Sequence, residues 1–165
     1  LQATGEFAQG GIMKSVLKHA AALAFVTGFS ALCVVPAEAR NVVVPLSIAD
    51  GMASPEVREK IDGTVQFYFG DTKYPPVLQK FGVYVTNQKT NAFLKSDETA
   101  CRHVFVSTLL EFQKRAHELG ANAVINIHSY YDKQDFSSDT DVQCHAGGAI
   151  AGIALRGEFV KVGGP

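Results

Sequence analysis

The chain has 165 residues, 47% of them hydrophobic, with 15 Lys and Arg against 16 Asp and Glu and a formal net charge of −1. That is enough for one ordinary domain and too little for two. The charge balance, with no basic cluster, argues against nucleic acid as the main partner.

Residues 1–12, LQATGEFAQGGI, precede Met13 and read as an upstream extension or a start-site artefact. From Met13 the chain runs MKSVLKHAAALAFVTGFSALCVVPAEAR. Lys14 and Lys18 give a basic start, Ala20 to Val35 an apolar run, Pro36 a break, and Ala37, Glu38 and Ala39 a small-x-small triplet. This predicts a signal peptide over residues 13–39, cleaved near Ala39, and hence a periplasmic or secreted protein. The apolar run has 16 residues, short of the roughly 20 that a spanning helix needs. Cys33 is preceded by Leu32 where an acylated cysteine needs a small residue, so no lipid anchor is expected. Cleavage would remove Lys14, Lys18, Glu6 and Glu38 and leave the net charge at −1. Two cysteines, Cys101 and Cys144, would remain in an oxidising compartment, where a disulfide is the expected state.

The exported part, 40–165, reads as a single domain. NVVVPLSIAD is an apolar opening run, and Ser54 before Pro55 and Glu56 predicts a short helix. TVQFYFG (64–70) is a strand by its aromatic and β-branched content; DTKYPP is a turn. FGVYVTNQ (81–88) alternates as a second strand, and KTNAFLKSD is a polar connection. The principal helix starts near Asp97 or Thr99, with Cys101, Phe105, Thr108 or Leu109, Phe112, Ala116 and Leu119 along one stripe, and Gly120 ends it. ANAVINIHSYY (121–131) alternates as a central strand, DKQDFSSDT is a polar loop, DVQCHA an antiparallel return strand, and GEFVKV (157–162) a last strand. The expected fold is α+β: a small antiparallel or mixed sheet packed on one principal helix, with one disulfide.

The stretch VQCHAGGAIAGIALRG invites a phosphate-loop reading, because Gly147 and Gly152 have the right separation. Ile153 and Ala154 stand where that loop needs Lys and Ser or Thr, so the cation and the metal ligand are both missing. Zinc could draw on Cys101 with His103 and Cys144 with His145, but neighbours in a strand point to opposite faces. The metal alternative is therefore carried by His103, His128 and His145. Ser129 beside His128, near Asp132, lacks a nucleophile elbow. Asp132, Asp135, Asp139 and Asp141 lack the calcium-loop pattern and read as a solvated hairpin tip. Tyr130 and Tyr131 should straddle the sheet, one in the core and one exposed, and are the candidates for contact with a partner.

CRHVFVSTLLEFQKRAHELGANAVINIHSYY followed by QCHAGGAIAGIALRGEFVKV resembles the C-terminal domain of the Rcs envelope-stress sensor lipoproteins (the RcsF family) and, more loosely, the YbjQ-type small domains, sometimes described as heavy-metal-binding. The resemblance covers 101–162. It implies a compact α+β fold with a disulfide that lands on Cys101 and Cys144. The family's second disulfide would fall on Tyr130 and Ile150 and is absent, and its lipid anchor and proline-rich linker are not expected here. Chains similar to this one are sometimes named excinuclease ATPase subunits, which the failed phosphate loop contradicts. The expected protein is thus exported and non-enzymatic, without cofactor or membrane span, acting by contact with an envelope protein and implied by the resemblance to monitor envelope stress. The alternatives are a periplasmic metal-binding protein and an enzyme built on His128, Asp132 and Ser129.

Overall fold

The computed structural model describes residues 40–164. The upstream extension, the signal peptide, its cleavage site and Cys33 lie outside the described residues. Strand β1 (Val42–Ser47) leads directly into α1 (Ile48–Ala53) and α2 (Pro55–Lys60), then β2 (Gln66–Phe69) and β3 (Val77–Asn91). Helix α3 (Asp97–Leu119) follows, then β4 (Ala123–Tyr131), β5 (Gln134–Phe136), β6 (Asp141–Ala146) and β7 (Ile150–Val162). The result is an α+β fold with a mixed seven-stranded sheet, one long helix and one disulfide.

Helix α3 forms where its signals stand. Ser96 Oγ accepts the Thr99 N–H at 3.2 Å, Asp97 and Glu98 complement the positive end of the helix, and Gly120 at φ 75° turns the chain out of it. Its buried stripe includes Cys101, Val104, Phe105, Leu109, Phe112 and Ala116. The buried Thr108 hydroxyl donates to the Val104 carbonyl at 2.8 Å, which removes the cost of a polar group in the core.

Strand β7 is the spine of the sheet. One side carries β3 along its whole length; the other carries β6 at Ala151 and Gly152 and β4 from Leu155 to Val160. Beyond these lie β1, antiparallel to β6, and β2, parallel to β4. Alternation sends Ile153, Leu155 and Phe159 to the α3 face, where Phe159 meets Phe112 edge-on at 5.3 Å and Tyr84 at 5.2 Å. On the opposite face a smaller cluster joins Ala123, Ile125, Val160 and Val162 to Tyr68 and Val77. Cys101 and Cys144 are disulfide-bonded with Cα atoms 5.8 Å apart, both fully buried, so α3 is tied to β6.

Four sequence expectations need correction. The short strand 81–88 is the middle of β3, which extends from Val77 into the supposed polar connection. The glycine-rich stretch is a strand from Ile150 onward, so Gly152, Ile153 and Ala154 sit in β7 with no helix after them, and a phosphate loop fails on geometry too. DVQCHA pairs with β1 and β7 and is not the return strand of β4. That role falls to β5, inside the supposed polar loop, because Asp132 and Lys133 adopt φ 50° and 62° and make a two-residue hairpin turn. Asp132 tolerates that conformation but Lys133 stands where the turn favours glycine. Replacing the pair with Asn-Gly should therefore stabilise the domain by about 1 kcal/mol, a rise in Tm of roughly 4 °C by circular dichroism.

Candidate functional site on the open sheet face

Among the described residues, no helix lies over most of the sheet face opposite α3. Period two places Val83, Val85, Asn87 and Lys89 of β3 there, with Gly152, Arg156 and Glu158 of β7, His128 and Tyr130 of β4, and His145 of β6. Val83 and Val85 are each 51% exposed and Ile150 57%. Two clefts divide this surface.

The first, about 370 Å³, is lined by Val83, Asn126, His128, Asp135, Ser137, Arg156, Gly157 and Glu158. The β5 hairpin brings Asp135 opposite Tyr130, onto the face that carries His128 and Arg156. Asp135 Oδ1 lies 2.7 Å from His128 Nε2 and 3.4 Å from Arg156 Nη1. His128 Nδ1 lies 2.8 Å from the Asn126 carbonyl oxygen, which a bulge with Asn126 at φ 52° turns toward the ring. Both ring nitrogens are thus engaged. Arg156 also lies over the Tyr130 ring at 5.3 Å.

The second cleft, about 460 Å³, includes Arg40, Asn41, Asn87, Lys89, Tyr131, His145 and Gly152 in its lining. Lys89, Gly152, His145 and Val43 form one row across four strands, and the missing side chain at Gly152 leaves a notch between Lys89 and His145. Tyr131 stacks on the His145 ring with centroids 3.3 Å apart, and His145 Nδ1 lies 3.3 Å from Asn41 Oδ1. The buried Nε2 has no hydrogen-bond partner among the described residues. Arg40, at the rim, is paired with Asp97, and that hydrogen bond holds the Asp97 carboxyl below its ordinary range.

Burial pushes the His145 pKa below its ordinary 6.5. The folded protein then takes up this proton less readily than the unfolded chain. The stability linked to the neutral ring is present above about pH 6.5 and is lost as pH falls through that value toward the lower folded one. An NMR titration of the ring protons should give His145 a lower midpoint in the folded than in the unfolded chain, and Tyr131→Ala, which uncovers the ring, should move the midpoint back up.

The sequence-expected site residues end in different places. His103 lies on α3 with Nδ1 3.1 Å from Glu56 Oε1, on the other side of the sheet from His128 and His145. Among the described residues no group of three or more His, Cys, Asp or Glu side chains is placed to hold a metal. Ser129 is buried, its Oγ accepting the Gln143 N–H at 2.8 Å, and Asp132 belongs to the hairpin turn, so neither joins His128 in a triad. Tyr130 is half-buried on the open face beneath Arg156 and not in the core; Tyr131 is exposed. Cys144 and His145 do point to opposite faces, the first into the disulfide and the second into the cleft. Sequence reasoning missed Asp135, Arg156 and the Gly152 notch; the polar and small residues at 152, 154, 156 and 158 were the available signal. Comparison with protein-family models, curated proteins and solved structures finds no match to this chain.

Proposed function

We propose that the chain is an exported, non-enzymatic domain of the bacterial envelope that works by protein contact through the sheet face opposite α3, in the monitoring of envelope stress. The observation that carries this reading is the exposure of Val43, Val83, Val85 and Ile150 on regular strands, interleaved with Tyr131, Arg156 and Lys89. Ordered apolar and aromatic groups among fixed charges are what a protein partner buries. The buried disulfide supports an oxidising compartment, as do the basic start, apolar run and small-x-small triplet of residues 13–39. The engagement of both His128 nitrogens supports a binding role over acid–base chemistry. The stress-monitoring role rests on the resemblance to the Rcs sensor lipoproteins.

The test is a photo-reactive phenylalanine at position 131 and, as control, at Lys114 on the solvent side of α3, in cells that export the protein. A discrete adduct at 131 only, whose yield changes when the outer membrane is perturbed, is the expected result. Equal labelling at both positions, or a chain retained in the cytosol, refutes the proposal.

A further inference from the structure

Strand β3 has β7 on one side and no strand on the other among the described residues. Its first part is irregular, with register breaks between Val77 and Gln79 and between Lys80 and Gly82, and Gly82 at φ 119°. Such breaks, and Lys80, are devices that keep an edge from pairing. From Val83 to Asn91 the register against β7 is unbroken, and Lys89, near the far end, is the one charge left on the stretch. The Ala92 N–H donates to the Ala149 carbonyl at 2.8 Å, in phase with that register. Antiparallel alternation then turns the backbone groups of Tyr84, Thr86, Gln88 and Thr90 toward β7, and those of Val83, Val85, Asn87 and Lys89 away from it.

We propose that this edge pairs with the same edge of a second copy of the chain, antiparallel, with the two-fold axis at Val85. The inference shares Val83 and Val85 with the partner reading above but rests on the backbone edge of β3, not on that reading. In this register Val85 faces Val85 of the second copy, Val83 faces Asn87, and Tyr84 faces Thr86, so the outward N–H and C=O groups are satisfied in alternate pairs. Four valines that each lie half in water, two from each copy, meet as one cross-strand patch on the open face.

The charges above the edge are self-complementary about the same axis, although Arg115 also pairs with Glu118 of its own helix at 3.1 Å. Glu111 and Arg115, one helical turn apart on α3, lie beside Tyr84, Val85 and Thr86, with the Arg115 guanidinium 5.6 Å over the Tyr84 ring. The two-fold brings an antiparallel α3 alongside, setting Glu111 toward Arg115 of the other copy and Arg115 toward its Glu111. A repeated, unlike partner strand would gain the backbone bonds without this match. Among the described residues each copy has one long regular edge, so the pairing closes at two.

The test is sedimentation equilibrium on the protein purified without reductant, alongside Val85→Pro and Val85→Lys. Proline removes an outward N–H that β7 does not use, so the monomer keeps its fold. Lysine places like charges across the axis, and checks the result should the proline variant misfold. Wild type should dimerise at tens of micromolar, and each variant should associate at least tenfold more weakly with an unchanged circular dichroism spectrum. Under mild oxidation Val85→Cys should cross-link to a dimer and Asn87→Cys should not. A wild type that is monomeric at about 1 mM, including one that pairs only with an unlike protein, overturns the proposal. So does a dimer that survives both substitutions, or a cross-link at 87 in preference to 85.

Discussion

Reducing the Cys101–Cys144 bridge is expected to cost the folded domain roughly 4 kcal/mol, a fall in Tm of roughly 15 °C. The bond joins residues separated by 43 positions, and the enclosed loop holds most of α3, all of β4 and β5, and half of β6. Without the bond, the unfolded chain regains the freedom of that loop, while the folded chain keeps nearly the same packing because both sulfurs remain buried. The measurement is thermal and urea unfolding with and without reductant, with Cys101→Ala/Cys144→Ala as the permanent counterpart. The double variant should fall at least as far, since it also removes two sulfurs from the core. A change of under about 3 °C would mean that the reduced, unfolded chain is already compact around α3 and β4. A large change has a cellular consequence: the chain folds stably only where the bond can form, which links the fold to the compartment that the first forty residues predict.

The parts of the fold that were legible in the sequence are those whose signals are local. Ser96, the acidic first turn, the apolar stripe and Gly120 each mark α3 independently, and they agree. Short-range alternation marks β4 in the same way. Helix α1 was not legible, because its six residues are too few for a period and include Gly51, which is there to let the Phe105 ring approach. The hairpin at Asp132 and Lys133 was missed because its turn lacks the glycine that announces positive φ. Strand β7 was cut short because Gly147, Gly148 and Gly152 suggest a turn by composition. Within the sheet Gly157 serves packing: a Cβ there would lie 2.6 Å from a Val124 methyl carbon. The open-face site was the least legible part. Lys89, Gly152, His145 and Val43 become neighbours only through the pairing of four strands, and no spacing along the chain encodes that row.

Phe159→Ala is expected to destabilise the domain by about 3–5 kcal/mol, at the upper end for a single core substitution. The side chain is fully buried between Phe112 of α3 and Tyr84 of β3, each met nearly at right angles, so its loss removes two edge-to-face contacts as well as buried area. Its surroundings are poorly able to close over the gap. Phe112 is fixed on the helix, Tyr84 lies under Arg115, and the backbone nearby is already at contact distance through Gly157. Urea unfolding should show a lower midpoint at an unchanged slope, and Phe159→Leu, which keeps most of the volume, should recover more than half of the loss. A cost below about 1.5 kcal/mol for the alanine variant would mean that the core relaxes and that α3 is held by other contacts. The damage should also be uneven. Among the described residues β3 is bound to the rest of the sheet through β7 alone, and Phe159 is the β7 residue that anchors Tyr84. Amide exchange in Phe159→Ala should therefore rise most at Tyr84, Thr86 and Gln88, well before β4, and an edge that frays in this way would lose the pairing proposed for it.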